Sequence, residues 1–133
     1  MYQQDTRAVI MAETNSGALM VQRIGEVHII EFMETNILDQ IVIERIKEQM
    51  LGVIEKAGHP KILISFENVK HISSAMLGTL MAVNKAVKSA KGELRLSSID
   101  KNLMEVFKLT RLDKVLKIYK TSQAALDPKF VGG

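Results

Sequence analysis

Short apolar segments alternate with amphipathic helical segments through most of this chain. The middle segment, residues 61–66 (KILISF), is a nearly continuous apolar run, which is typical of a strand covered on both faces. Apolar residues recur at helical spacing on either side of it, at positions 42, 46, 50 and 53 and again at 76, 80, 83 and 87. Because a helix that connects two strands usually leaves them parallel, this alternation predicts an α/β protein.

The predicted elements follow the order β-β-α-β-α-β-α-β-α. Residues 18–24 and 27–32 read as two strands joined at Gly25 and Glu26, which indicates an antiparallel hairpin at the start of the fold. Further strands are expected at 61–66, 93–97 and 115–119, and helices after Asp39, Ser73 and Asp100 and at 122–126. The expected architecture is a small mixed β-sheet with helices mainly on one face. We expect residues 17–127 to form one domain, between a flexible N-terminal extension (1–16) and a C-terminal tail (128–133).

Composition excludes several kinds of site. The chain has no cysteine, so disulfides and thiolate zinc sites are excluded. His28, His59 and His71 lack the spacing of metal ligands, and no glycine-rich phosphate-binding motif is present. His71 lies close to two serines, but no nucleophile-elbow motif surrounds them. We therefore expect no metal, no cofactor and no enzymatic activity.

Charge and hydropathy limit the expected partners. Residues 83–120 contain ten Lys and Arg against four Asp and Glu, although the net charge of the whole chain is only +3. A solvated helix face explains this excess better than an acidic partner does, and the few aromatic residues do not favour RNA binding. No signal peptide or membrane-length apolar run is apparent, so the sequence predicts a cytoplasmic protein without a membrane partner.

The run from His71 to Gly78 (HISSAMLG) carries the strongest functional signal. Ser73 and Ser74 stand where the segment after the central strand meets the start of a helix. A helix N-terminus favours hydroxyl caps, which contribute about 1 kcal/mol, and it also accommodates negative charge. The residues alone favour a simple capping role, and they leave open a phosphorylated serine.

Three stretches of the chain together resemble the STAS domain family, typified by bacterial anti-sigma-factor antagonists. Residues 37–39 (ILD) resemble the Leu-Asp that precedes the family's first helix. Residues 62–78 (ILISFENVKHISSAMLG) resemble its strand, loop and phospho-acceptor helix start, and residues 106–126 resemble its closing elements. The resemblance spans about residues 18–126 and implies the STAS, or SpoIIAA-like, fold.

The resemblance also assigns roles to individual residues. The family signature is Asp-Ser-Ser/Thr-Gly-Leu-Gly, and alignment on the final Leu-Gly places Ser74 at the phosphorylated serine. Ser73, Ala75 and Met76 then stand at the aspartate, the second hydroxyl and the glycine, and Met76 would add an apolar side chain to a possible contact surface. The expected partner-binding region comprises Asp39, Ser73, Ser74, Ala75, Met76 and, further along the same helix, Lys85.

The function that this resemblance implies is a partner switch. The unphosphorylated protein would bind an anti-sigma-factor serine kinase that uses its own ATP, phosphorylation of Ser74 would end the binding, and a phosphatase would reset it. The alternative is an interaction or scaffold module that is never phosphorylated. A monomer or weak dimer is expected in either case.

Overall fold

The computed structural model describes residues 18–132, and the expected N-terminal extension lies outside them. In chain order the strands are β1 (Leu19–Ile24), β2 (Val27–Phe32), β3 (Asn36–Ile37), β4 (Lys61–Ser65), β5 (His71–Ile72), β6 (Glu93–Ser97) and β7 (Lys117–Tyr119). The helices are α1 (Gln40–Ala57), α2 (Ser74–Ser89), α3 (Lys101–Leu109), α4 (Ser122–Ala125) and α5 (Pro128–Gly132), with a 3-10 turn at Leu112–Lys114.

Five strands form a mixed sheet in the order β1-β2-β4-β6-β7. The hairpin β1–β2 is antiparallel, and each later neighbour in the sheet is parallel. The predicted mixed α/β architecture is therefore confirmed. A second, two-stranded parallel sheet pairs β3 with β5, and strands of two residues are too short to leave a periodic pattern in the sequence.

The main core lies between the sheet and helices α1, α2 and α3, on what we call the helical face. Ile62 and Ile64 of β4 point to this face, where Phe66 packs at ring-centroid distances of 5.1 Å from Phe32 and 6.0 Å from Phe107. Helix α1 buries the face that holds Ile43, Ile46, Met50 and Ile54. The predicted stripe shares Ile46 and Met50 with this face, whereas Val42 and Val53, which it also placed inside, are half-buried at the edge of the same core.

The opposite side, the reverse face, is covered by the short helices α4 and α5. Residues 128–132 are not the expected tail, because they form helix α5 and its Phe130 is only 2% exposed. Phe130 packs in one cluster with Val27, Ile29 and Leu63. These apolar residues of β2 and β4 would otherwise face water, and their burial supplies the free energy that orders the chain terminus.

A buried arginine joins the reverse face to the chain terminus. The Nε of Arg95 donates to Glu93 Oε2 at 2.7 Å, and its Nη1 donates to the Ala125 carbonyl at 2.8 Å and to Asp127 Oδ2 at 3.0 Å. Its guanidinium carbon lies 4.0 Å from the centroid of the Phe130 ring. The backbone N–H of Phe130, followed by Arg95, lowers the pKa of Asp127. The cation therefore connects β6 to both covering helices.

We expect Arg95→Met to lower the free energy of unfolding by about 2 kcal/mol, because the buried Ala125 carbonyl loses its charged donor. Urea unfolding followed by circular dichroism measures this loss. Lys117→Met is the control, since Lys117 contacts the same Glu93 carboxylate but is solvent-exposed. It should cost less than about 1 kcal/mol. Equal losses in the two variants would contradict a structural role for Arg95.

The burial of His28 makes the free energy of unfolding depend on pH. Its Nδ1 is buried and has no hydrogen-bond partner in the part of the chain that the structure describes. Burial, followed by the charge of Arg23, lowers the pKa of His28 below 6.5. The unfolded chain therefore binds a proton more readily than the folded protein, and the contribution of His28 to stability is present above pH 6.5 and is lost as the pH falls.

We expect the free energy of unfolding to decrease between pH 7.5 and pH 5.5, and to decrease less in His28→Gln. Urea titrations of both proteins at the two pH values provide the measurement. His59→Gln is the matched control, because His59 is exposed. If His28→Gln and the wild type lost stability in parallel, His28 would not be the responsible group.

Candidate functional site

Helices α1 and α2 begin side by side at one end of the molecule. Each starts shortly after a strand of the small β3–β5 sheet, in which Ile37 pairs with Ile72. The backbone N–H of Ser73 donates to the Ile37 carbonyl at 3.1 Å, which ties the two helix starts together. Nearby, the His71 ring Nδ1 lies 2.8 Å from Asn36 Oδ1. The small sheet thus positions two helix N-termini on one surface.

Ser73 and Ser74 have different environments. Ser73 is the N-cap of α2, and its Oγ accepts a hydrogen bond from the Met76 N–H at 3.3 Å. Ser74 is the first helical residue and is exposed to solvent. The predicted capping role of Ser73 is confirmed. The hydroxyl of Ser74 is accessible, and it stands beside the positive end of the helix dipole, where added negative charge is stabilised.

The start of α1 supplies a cap and an apolar surface next to these serines. Asp39 is the N-cap, as predicted, and its Oδ1 accepts from the N–H groups of Ile41 and Val42 at 2.8 and 3.1 Å. Leu38 is 55% exposed and Ile41 is 67% exposed. We call Leu38, Asp39, Ile41, Ser73 and Ser74 the α1/α2 surface. Leu38 and Ile41 therefore give this surface two large solvent-exposed apolar side chains.

Met76 is not part of this surface. Its side chain is 0% exposed and belongs to the main core, so the expectation that it contributes to a contact surface is wrong. Its position two residues beyond Ser74 turns it inward on the helix, toward the face that Leu80 and Val83 also bury. Ala75 is half-buried and packs against the same core.

Lys85 lies on the same exposed side of α2 as Ser74 but far from it. The exposed residues of this helix follow one stripe that includes Ser74, Gly78, Met81, Lys85 and Lys88. Eleven residues separate Lys85 from Ser74, which is about 16 Å along the helix axis. The structure therefore places Lys85 outside the α1/α2 surface.

The side chain of His71 is bonded to Asn36, and no hydrogen bond joins it to Ser73 or Ser74 in residues 18–132. Within those residues no group of three or more His, Cys, Asp or Glu side chains could hold a metal ion. The helices of this region also include none that is long and apolar enough to cross a membrane.

Sequence reasoning missed the contribution of Ile41. Its neighbours follow the helical stripe that packs into the core, whereas Ile41 stands out of phase with that stripe on the polar side. An isoleucine on the polar side of an amphipathic helix was the signal that could have revealed it. The approach of the two helix starts carried no such signal, because it depends on pairing between two very short strands.

Comparison with known proteins identifies the family to which this fold is related. The STAS domain family profile matches residues 11–125. A protein from Thermotoga neapolitana, named as a proposed anti-sigma factor antagonist, is 36% identical over 70 residues, or 53% of this chain. A protein with a similar name from Thermotoga maritima is 33% identical over the same length. The matches span 62% of the length of these two relatives.

Solved structures extend the similarity to nearly the whole fold. An anti-sigma-factor antagonist (STAS) domain protein from Planctomyces limnophilus superposes with a TM-score of 0.75 at 27% identity, covering 81% of this chain and 94% of that one. The unphosphorylated form of the anti-sigma factor antagonist SpoIIAA shares the fold at 18% identity, with a TM-score of 0.64 over 83% of this chain and 96% of that one. From the family match and the shared fold, this chain belongs to the STAS domain family.

Proposed function

We propose that this protein is an anti-sigma-factor antagonist that binds an anti-sigma-factor serine kinase through the α1/α2 surface. The observation that carries the proposal is the exposed Ser74 at the start of α2, whose preceding residue, Ser73, is hydrogen-bonded to Ile37, the residue before the exposed Leu38. The names of the Thermotoga relatives and of the structure from Planctomyces limnophilus support the antagonist role.

Phosphorylation of Ser74 would switch this surface off without unfolding the domain. A phosphoserine adds about −1.5 to −2 charges and three acceptor oxygens. The free N–H groups and the dipole at the start of α2 can stabilise that charge in the unbound protein. In a complex the same charge would have to be desolvated against the partner, so binding would be lost. A phosphatase that removes the phosphate would restore the antagonist.

Affinity capture from a lysate of the native organism, followed by a kinase assay, tests this function. We expect wild-type and Ser74→Ala baits to retain a small ATP-binding kinase. When ATP and magnesium are added to the purified kinase, phosphate should be incorporated into the wild type and not into Ser74→Ala. Phosphopeptide mapping would then place the modification at Ser74. Incorporation that persists in Ser74→Ala would contradict the assigned acceptor.

A scaffold module that is never phosphorylated is the second candidate. The observation that favours it is that Ser73 acts as a cap at the position where the family signature has an aspartate, so the acceptor has no carboxylate as its immediate neighbour. A partner that binds tightly and transfers no phosphate to Ser74 would favour this function over the switch.

A further inference from the structure

A row of polar side chains crosses the reverse face near the carboxyl ends of the strands. Register places Glu31 of β2 beside Ser65 of β4, and Ser65 beside Ser97 of β6. Ser97 Oγ lies 2.9 Å from Ser122 Oγ at the start of α4, so the covering helices reach this strand. The Ser65 hydroxyl has no comparable partner among residues 18–132. Within the described residues, the Ser65 hydroxyl is therefore the member of this row whose hydrogen bonding is unsatisfied.

Ser65 faces a cavity of about 220 Å³. Its lining residues come from β1, β2, β4 and the segments that follow them, and they are Met20, Glu31, Phe32, Met33, Ser65, Glu67 and Asn68. Ser65 is only 2% exposed, and its Oγ is a buried polar atom with no hydrogen-bond partner in the described part of the chain. Burial of an unpaired hydroxyl costs about 1–3 kcal/mol, so an unpaired serine at the wall of a cavity points to a ligand that completes its hydrogen bonding.

Two carboxylates give the cavity a negative charge. Neither Glu31 nor Glu67 takes part in an ion pair within the described range, although Glu26, Glu93, Asp100 and Asp127 all do. Glu31 is half-buried, and Glu67 lies at the rim. The Asn68 amide can present its oxygen to the same space, so all four polar side chains can act as acceptors. Among the described lining residues, acceptor oxygens therefore outnumber donor groups and no side chain carries a positive charge.

The remaining walls are apolar. Met20 pairs with Glu31 across the β1–β2 hairpin, and Met33 follows β2. Methionine side chains adapt to an aliphatic stem, whereas a bare metal ion would gain nothing from them. Two carboxylates also fall short of the usual oxygen set of a hard cation. The combination of converging acceptors and thioether walls fits a planar cation with several N–H donors, carried on a methylene chain.

We propose that this cavity binds the guanidinium group of an arginine side chain on a partner protein. The guanidinium would donate hydrogen bonds to Glu31, Glu67 and the Ser65 hydroxyl, and the arginine methylenes would pack against Met20 and Met33. Ser65 lies two residues after Leu63 in β4, so both side chains point to the reverse face, whereas Ser74 lies at the start of a helix that packs on the helical face. The cavity would therefore be a second binding site, distinct from the proposed switch at Ser74.

Nuclear magnetic resonance titration of the ¹⁵N-labelled protein tests this site. The probe is the peptide acetyl-Gly-Arg-Gly-amide, compared at equal ionic strength with the matching lysine peptide, with agmatine and with magnesium chloride. We expect saturable shifts of the Glu31, Ser65 and Glu67 amides with the arginine peptide. The double variant Glu31→Gln/Glu67→Gln should weaken binding at least about tenfold, because the charge-assisted bonds are lost.

Two control variants distinguish binding at this cavity from a general effect of charge and from the proposed switch at Ser74. Glu55→Gln removes one negative charge from an exposed position on α1, and it should leave the affinity for the arginine peptide unchanged. Ser74→Ala should bind the peptide equally well, so failure of the phosphorylation switch would not affect this result. Several outcomes would overturn the proposal: no saturable shift, equal affinity for the lysine peptide, tighter binding of agmatine or magnesium, or undiminished binding by the double glutamine variant.

Discussion

The Ser74→Glu variant is expected to keep the wild-type fold and to lose affinity for the proposed partner, an anti-sigma-factor kinase, by about a hundredfold, or about 2.7 kcal/mol. The glutamate would stand at the first position of α2, where an exposed carboxylate is stabilised by the helix dipole, so folding should not suffer. In the complex the same carboxylate would be desolvated beside Leu38 and Ile41 without a compensating cation. The cost of burying an unpaired charge accounts for the loss.

Calorimetric titration of the purified kinase with each variant measures this effect. Ser74→Ala should bind as the wild type does, because it removes only a hydroxyl. Ser89→Glu is the matched control, since it makes the same substitution at an exposed serine about 22 Å further along α2. It should bind within about twofold of the wild type. If Ser89→Glu weakened binding as strongly as Ser74→Glu, overall charge rather than the α1/α2 surface would be responsible.

The Gly92→Ala variant is expected to lose about 3 kcal/mol of folding stability. A Cβ atom at Gly92 would overlap the Pro60 carbonyl oxygen and would lie 2.8 Å from Pro60 Cγ. That carbonyl cannot simply move away, because it accepts the Glu93 N–H at 2.9 Å where β6 begins beside β4. Relief of the clash would require the first β4–β6 contact to open, and the loss of that contact is the source of the destabilisation.

Urea unfolding followed by circular dichroism compares this variant with Gly52→Ala. Gly52 lies within α1, and a Cβ atom there would meet nothing within 4 Å. The control should therefore gain about 0.5–1 kcal/mol, since alanine is the better helix former. A Gly92→Ala protein as stable as the wild type would mean that the chain relaxes around Pro60 without loss of sheet pairing.

The requirement for glycine at position 92 could not be predicted from the sequence. A glycine after a helical stripe predicts a C-cap at Gly92, but α2 ends at Ser89 and its cap is Ala90. The requirement for glycine at residue 92 arises instead from the close approach of the Pro60 carbonyl, which is 32 residues away in the chain. Helix propensity is a local property, and this contact is not.

Some features of the candidate site depend on neighbouring residues in the chain, and others depend on tertiary packing. Ser73 and Asp39 were predictable as caps, because capping depends on a side chain and the backbone two or three residues away. The burial of Met76 and the exposure of Ile41 could not be predicted in this way. They depend on how each helix is rotated against the core, and a rotation by one residue changes which side is buried. The tail was expected to be irregular because a segment of six residues carries no period, yet α5 forms there.

Local propensity and apolar spacing specify the order of the main strands and helices, the antiparallel hairpin, the mixed sheet and the helix start at Ser73 and Ser74, so these features are predictable from the chain. Long-range packing is responsible for three others: the starts of α1 and α2 share one surface, Phe130 and Arg95 join the chain terminus to the reverse face, and Ser65 faces a cavity with Glu31 and Glu67. These features join residues distant in the chain, and the pairing of strands brings them together.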